Sequence, residues 1–275
     1  MRNLLLATAS LTLLAAGAAQ AQDASWTGAY VGVSAGLADR KESGGETIGF
    51  DKNLDGTFGE TVTTAAGANA FSPGFCGGSF NTNAAAGGCR KDDDTDVEMS
   101  ARLGYDYQIG AFVVGGLVEY TQVQLNDAVT AFSTTPAAYS FNRKLNDLWA
   151  VRARGGYAMG DNLFYATGGY ARGNMKHSFN TTNTANSFTR DGGGDANGYQ
   201  IGLGYERKLM PNVTVGVEWI RTSLKDDDYT VRAGNSGATP ATNPFLLTNP
   251  SGTDFLRTSD KFKFDSYRVT ASYRF

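Results

Sequence analysis

The chain is 275 residues long, with 24 lysines and arginines against 27 aspartates and glutamates, a single histidine and a formal net charge of −3. With no basic stripe in that balance, nucleic acid is excluded as a partner, and one histidine with two cysteines is too few ligands for a structural metal site. Thirty-five glycines are many for a packed soluble domain and suit tight turns and the crowded interior of a small barrel.

The N-terminus has the parts of a secretory signal. Arg2 supplies a positive charge, Leu4 to Gly17 an apolar run of about 14 residues, and Ala19-Gln20-Ala21 a small-x-small cleavage site. Residues 1–21 are therefore expected to be removed, leaving 22–275 as the exported domain. The run is too short and wrongly flanked for a spanning helix, and no later stretch reaches the ~18 apolar residues one needs. Alternating strands escape such a window average, so a negative mean hydropathy does not argue against a membrane protein.

The first strand is expected over about 26–38. A long polar interval follows, 39–94, rich in Gly, Asn, Thr and Ala and holding both cysteines. In an exported chain, Cys76 and Cys89 read as a disulfide. It closes a loop of roughly 14 residues, worth on the order of 3 kcal/mol in the chain-entropy account.

Strand two, about 95–107, sets Met99, Ala101, Leu103, Tyr105 and Tyr107 on one face and Glu98, Arg102 and Asp106 on the other. A tight turn near Ile109-Gly110 leads to strand three, about 111–124. There Phe112, Val114, Val118 and Tyr120 face out and Glu119 faces the other way. A polar loop is expected over 125–145.

Strand four, about 146–159, opposes Trp149, Val151, Ala153 and Tyr157 to Arg152 and Arg154. Strand five, about 163–176, alternates less clearly. A tight turn before it would put Leu163, Tyr165 and Thr167 outside, and Tyr170 and Arg172 inside. A loop is expected over 177–195. Strand six, about 196–209, opposes Tyr199, Ile201, Leu203 and Tyr205 to Gln200 and Glu206. The turn at Pro211-Asn212 leads to strand seven, about 213–224, with Val213, Val215, Val217 and Trp219 against Thr214 and Glu218. A last loop, 225–260, precedes strand eight. Its odd positions read Tyr267, Val269, Ala271, Tyr273, Phe275 and its even positions Arg268, Thr270, Ser272, Arg274.

Connections alternate long, short, long, short. A soluble sandwich with Greek-key crossings has no reason to segregate loop length this way. The pattern belongs to an all-β, transmembrane, eight-stranded antiparallel up-and-down β-barrel, with both termini on the short-turn side. Outward aromatics fall in two sets. Near the short turns are Tyr107, Phe112, Tyr157, Tyr165, Tyr205, Tyr273 and Phe275; near the long loops are Tyr120, Trp149, Tyr199, Trp219 and Tyr267. Such paired belts mark the two interfaces of a membrane.

Three segments carry a resemblance to a known family: Trp26-Thr27-Gly28-Ala29-Tyr30-Val31-Gly32, Gly115-Gly116-Leu117-Val118-Glu119-Tyr120 and the closing Tyr273-Arg274-Phe275. The chain resembles the small eight-stranded outer-membrane barrels related to the OmpA transmembrane domain, and within them the porin-like surface antigens of Gram-negative bacteria. The resemblance covers the strands. It implies residence in the bacterial outer membrane, contact with its lipid and lipopolysaccharide, and delivery by the barrel-assembly machinery. Tyr273 and Phe275 would serve as the C-terminal assembly signal. The long first loop with its cysteines departs from the family pattern, so no loop function carries over.

The inward face collects Glu98, Arg102, Asp106, Glu119, Arg152, Arg154, Arg172, Glu206, Glu218, Arg268 and Arg274. An eight-stranded barrel has room for packed side chains only, so these must pair. They read either as a structural salt-bridge network plugging the lumen or as a gate whose pairs exchange partners. His177 and Ser178 are adjacent, so on a strand they point to opposite faces and do not suit a nucleophile with its base. No enzyme activity and no cofactor is expected. Asp92-Asp93-Asp94 and Asp226-Asp227-Asp228 read as solvated strand ends, or as sites for a divalent cation bridging to lipopolysaccharide. The expected role is structural and surface-exposed. A narrow pore for small solutes and an adhesin binding a host or surface ligand through the disulfide-pinned first loop are the alternatives.

Overall fold

A computed structural model describes residues 25–40, 45–91, 95–226 and 228–275. The expected signal peptide, the Asp92-Asp93-Asp94 triplet and Asp227 lie outside the described residues. Eight long strands build the molecule: β1 (Gly28–Asp39), β2 (Thr95–Ile109), β3 (Phe112–Ser133), β4 (Ala137–Met159), β5 (Asn162–Thr181), β6 (Ala196–Met210), β7 (Val213–Lys225) and β8 (Lys261–Arg274). Each pairs antiparallel with the next. β8 returns to β1, from Tyr30 opposite Arg274 to Asp39 opposite Asp265, which closes the ring and leaves no free edge.

The alternation has the physical consequence expected of a wall between lipid and a packed lumen. Leu103, Val118, Val151, Leu203, Val217 and Val269 stand exposed on the outside, while Arg102, Glu119, Arg152, Glu206, Glu218 and Arg268 are buried inside. Exposed rings mark both ends of the wall, with Trp149, Tyr199 and Tyr267 above and Tyr107, Phe112, Tyr157, Tyr273 and Phe275 below. Among the described residues no helix is long and apolar enough to cross a membrane.

Strand five corrects the sequence reading. The two-residue turn at Gly160-Asp161 sets Tyr157 opposite Phe164 and Met159 opposite Asn162. Directly opposed residues share a face, so the odd-numbered outer face of β4 continues as the even-numbered face of β5. Leu163, Tyr165 and Thr167 therefore point inward and are buried, whereas Tyr170 is exposed outside. Phe164, not Tyr165, joins the lower belt. Gly160 takes φ 59°, a left-handed value that glycine adopts without steric cost.

The expected polar loop at 125–145 is also overturned. β3 and β4 run on as one tall hairpin to a turn at 134–136. Likewise β5 continues to Thr181, and this extension together with a further strand, Asn186–Gly192, occupies most of the expected 177–195 loop. Two features hid this. An irregularity between Leu145 and Asp147 reverses the period of β4, so buried positions are even below it (Leu148, Ala150, Arg152) and odd above it (Leu145, Arg143, Phe141). Above it, both faces of the hairpin are covered, so Ala128 to Phe132 are all buried and no alternation remains to be read.

What covers the hairpin is a folded head. Strands Ile48–Asp51, Thr253–Arg257, Tyr229–Asn235 and Asn186–Gly192 form a four-stranded sheet drawn from three different inter-strand segments. Its apolar face packs on the hairpin through Phe50, Phe71, Tyr139, Phe141, Phe179 and Phe255. The disulfide joins Cys76 and Cys89 at a Cα separation of 6.0 Å. Cys76 lies on a strand, Gly74–Gly77, paired to β3, and the bond holds the 78–88 segment against the hairpin.

Candidate functional site

From the short-turn end upward, the lumen is filled in layers. Trp26 lies across the mouth fully buried, its indole N–H donating to the Gly160 carbonyl at 3.2 Å. The Arg274 guanidinium stacks 4.8 Å from its ring and Lys208 stands 5.0 Å from it. Above it sits a charge-balanced group of two arginines and two carboxylates. Arg154 reaches Asp106 at 2.6 Å and Glu206 at 2.8 Å, and Arg274 shares Asp106 at 2.6 Å. Tyr30 and Tyr165 flank it, with Arg154 5.0 Å and 4.7 Å from their ring centres. Both rings need glycine opposite: a Cβ on Gly104 would strike Tyr30, and one on Gly204 would strike Tyr165.

The next layer holds three arginines and three glutamates. Glu119 receives Arg102 and Arg152 at 3.0 Å each and Arg268 at 2.5 Å. Glu218 receives Arg102 at 2.9 Å and Arg152 at 3.4 Å, and Tyr165 donates to it at 3.1 Å. Arg268 closes the set on Glu98, which also accepts from Ser266 at 2.9 Å. These side chains are sealed from solvent, with at most 1 % of any of them exposed. Equal counts of each sign, each group paired at least once with its opposite, let the buried charge be tolerated, although Arg102 Nε and Nη1 and Arg152 Nε find no acceptor among the described residues. An apolar layer follows, made by Leu125, Leu145, Leu148, Met175, Phe262 and Phe264.

The structure thus brings together Glu98, Arg102, Glu119, Arg152, Glu218 and Arg268 in one layer and Arg154, Glu206, Asp106 and Arg274 in another. It does not place Arg172 with them. Arg172 follows the inverted face of β5 and pairs with Asp195 outside at 3.0 Å, its side chain 59 % exposed. Tyr273 and Phe275 stand exposed at the lower rim with their rings 5.2 Å apart.

A further charged junction, which the sequence reading missed, joins barrel to head above the apolar layer. Asp127 of β3 receives Arg257 at 2.7 Å, Arg143 at 2.8 Å and Arg40 at 3.0 Å. Arg257 extends to Glu46 at 2.6 Å. Arg143 also reaches Asp226 at 3.3 Å, and Asp226 meets the His177 ring at 2.9 Å. Asp226 and His177 stood out in the sequence for other reasons, but nothing there marked Asp127 and Arg143, which fall in the stretch read as a loop, or joined the set together. Asp226 is engaged by these partners, and among the described residues no group of three histidine, cysteine or acidic side chains could hold a metal ion. His177 points inward to Asp226, and Ser178 lies on the exposed outer side.

Asp127 lies seven residues beyond Tyr120 of the upper belt, outside the membrane-crossing part of β3. Burial alone would raise its carboxyl, but the guanidiniums of Arg257, Arg143 and Arg40 outweigh burial and hold it below the usual carboxylate range. A depressed folded value means the junction's stability is present above the unfolded pKa of ~3.9 and is lost as pH falls through the folded value. The head is therefore expected to become susceptible to pepsin below about pH 4 while the barrel stays folded. Limited proteolysis from pH 5 to pH 2 measures this, and Asp127→Asn should flatten the profile. An identical profile in that variant would show that another group controls it.

No family model matches the chain. It is 25% identical over 253 residues to the 31 kDa outer-membrane immunogenic protein of Brucella melitensis biotype 1, covering 91% of this chain and 84% of that one. It is 30% identical over 132 residues to a 22 kDa outer membrane protein of Rhizobium leguminosarum bv. viciae, covering 48% of this chain and 54% of that one. Among solved structures, the outer membrane protein OprG from Pseudomonas aeruginosa aligns over 92% of this chain and 99% of its own, with a TM-score of 0.45 and 12% identity.

Proposed function

We propose that this outer-membrane β-barrel protein is a sealed anchor that displays a folded head outside the cell, without catalytic activity. The observation that carries the reading is the uninterrupted stack of the lumen: the Trp26 mouth, two balanced ion-pair layers, an apolar layer and the Asp127 junction. A path for solute would have to break several buried ion pairs at once, each costly to open. The head supports the same reading, since it is a disulfide-pinned domain with its own aromatic core. Relatives named as immunogenic outer-membrane proteins fit a role that depends on surface exposure. In this reading lipid and lipopolysaccharide surround the wall, and the assembly machinery engages Tyr273 and Phe275. Any host or surface ligand meets the head.

The test is single-channel recording of the refolded mature protein in a planar bilayer. No discrete conductance steps are expected at neutral pH. Reproducible steps would overturn the sealed anchor, favour the narrow pore and turn the lumen carboxylates into its selectivity elements.

A further inference from the structure

One cavity belongs neither to the lumen nor to the head core. It measures about 590 Å³ and opens on the outer side of the β3–β4–β5 wall, just above the barrel. Its floor is the outward row Asn126, Asn142, Lys144, Lys176 and Ser178, and its roof is Ser79, Arg90 and Lys91 of the disulfide-bearing segment. The roof is tied down where the Ser79 hydroxyl donates to the Asn142 side-chain oxygen at 3.0 Å.

The cavity is strongly cationic. Lys144 and Lys176 are directly opposed across the β4–β5 ladder. Like charges in that position destabilise a sheet, so the pair is a cost unless an anion sits between. Lys144 donates only to the neutral Gln124 oxygen, at 2.9 Å. Among the described residues, neither these lysines nor Arg90 and Lys91 form an ion pair. The one carboxylate in the lining, Asp127, is occupied by Arg257, Arg143 and Arg40, and the His177 ring is taken by Asp226.

Its height identifies the anion. Lys144 lies five residues beyond Trp149 of the upper aromatic belt, and Lys176 four beyond Arg172, which pairs with Trp149. At ~3.3 Å per residue and a tilt of ~40°, the lysines stand roughly 10–13 Å above that belt, on the lipid-facing side. That is the depth of the phosphorylated sugar headgroups of the outer leaflet, and a basic pocket at headgroup level suits phosphate. We propose that this cavity binds the phosphate groups of an outer-leaflet glycolipid, clamped between the Lys144–Lys176 pair and the Arg90-Lys91 roof. The inference rests on the outer-membrane placement but not on the lumen being sealed, so it stands or falls apart from the conductance result.

The full mature protein, refolded in detergent, is titrated with lipopolysaccharide, with the same lipopolysaccharide stripped of phosphate, and with inorganic pyrophosphate. Binding is expected to the first, to weaken at least tenfold on phosphate removal, and to weaken similarly in Lys144→Gln/Lys176→Gln and in Arg90→Gln/Lys91→Gln. Lys52→Gln, which does not line the cavity, should bind as the parent does. Without ligand, the Lys144→Gln/Lys176→Gln protein should resist unfolding at least as well as the parent, because the repulsion is gone. Equal binding of the stripped lipid, or unchanged binding in both double variants, would overturn the proposal. Pyrophosphate binding as tight as the glycolipid would assign the site to a soluble phosphate and overturn the membrane source.

Discussion

Glu119→Ala is expected to lower the stability of the folded barrel by about 3–5 kcal/mol, the range for removing one partner from a buried ion pair. Three guanidiniums converge on that carboxylate, from Arg102 and Arg152 at 3.0 Å and Arg268 at 2.5 Å. The layer is neutral only as three of each sign, so the substitution leaves one positive charge sealed among side chains that are essentially inaccessible to water. Glu218 cannot absorb it, because it already accepts from Arg102 and Arg152 and from the Tyr165 hydroxyl. Arg172→Ala provides the comparison. It too is an arginine–carboxylate pair at 3.0 Å, with Asp195, but the pair is exposed, and such pairs contribute between about 0 and 1 kcal/mol. Guanidinium unfolding of the refolded proteins in detergent measures both. If Glu119→Ala costs no more than Arg172→Ala, water reaches the layer, and the sealed lumen on which the proposed function rests would have to be abandoned.

The contrast between Glu119 and Arg172 also marks how far the sequence could be read. The wall was legible because each of its strands obeys one constraint, lipid on one side and packed charge on the other, and that constraint writes a period of two. Met99 to Tyr107 and Tyr267 to Phe275 show it directly. The inward charges of β2, β3, β4, β6, β7 and β8 followed from the same period. Strand five went wrong by one residue because face assignment passes through the turn. A two-residue turn at Gly160-Asp161 exchanges odd for even, which moved Tyr165 into the lumen and Arg172 out of it. Which arginine meets which glutamate was beyond reach, since those partners come from strands more than a hundred residues apart in several cases.

The head was illegible for a different reason. Its sheet is assembled from segments 48–51, 186–192, 229–235 and 253–257, each too short to display a period and none adjacent in sequence to all its neighbours. Glycine, asparagine and threonine dominate the sequence between them, so composition pointed to loops. The aromatic residues were the available clue: Phe50, Phe71, Phe188, Phe245 and Phe255 stand in otherwise polar stretches, where an unburied phenyl ring would be costly.

That head is expected to fail separately from the barrel when Phe255 is removed. Phe255 is fully buried, with the rings of Phe245, Phe50, Tyr139, Phe179 and Phe188 at 5.2, 5.3, 5.9, 6.2 and 6.4 Å. It sits on the strand that joins Ile48–Asp51 to Tyr229–Asn235, so its ring holds the sheet to the hairpin and its backbone holds the sheet together. Phe255→Ala removes the ring from a packed site, a loss of about 3–5 kcal/mol. Of the barrel strands the ring meets only the upper extensions of β4 and β5, through Tyr139 and Phe179, and the Asp127 junction and the apolar layer lie between it and the ion-pair layers of the wall. Trypsin should therefore cut the variant at Arg190 or Arg232, which the parent protects within paired strands, while the barrel keeps its folded, heat-modifiable migration on a gel. Cleavage without barrel loss makes head and wall separate cooperative units, as a display scaffold requires. Loss of both together would mean that the head is part of the barrel's own fold, and the division between anchor and displayed domain would fall with it.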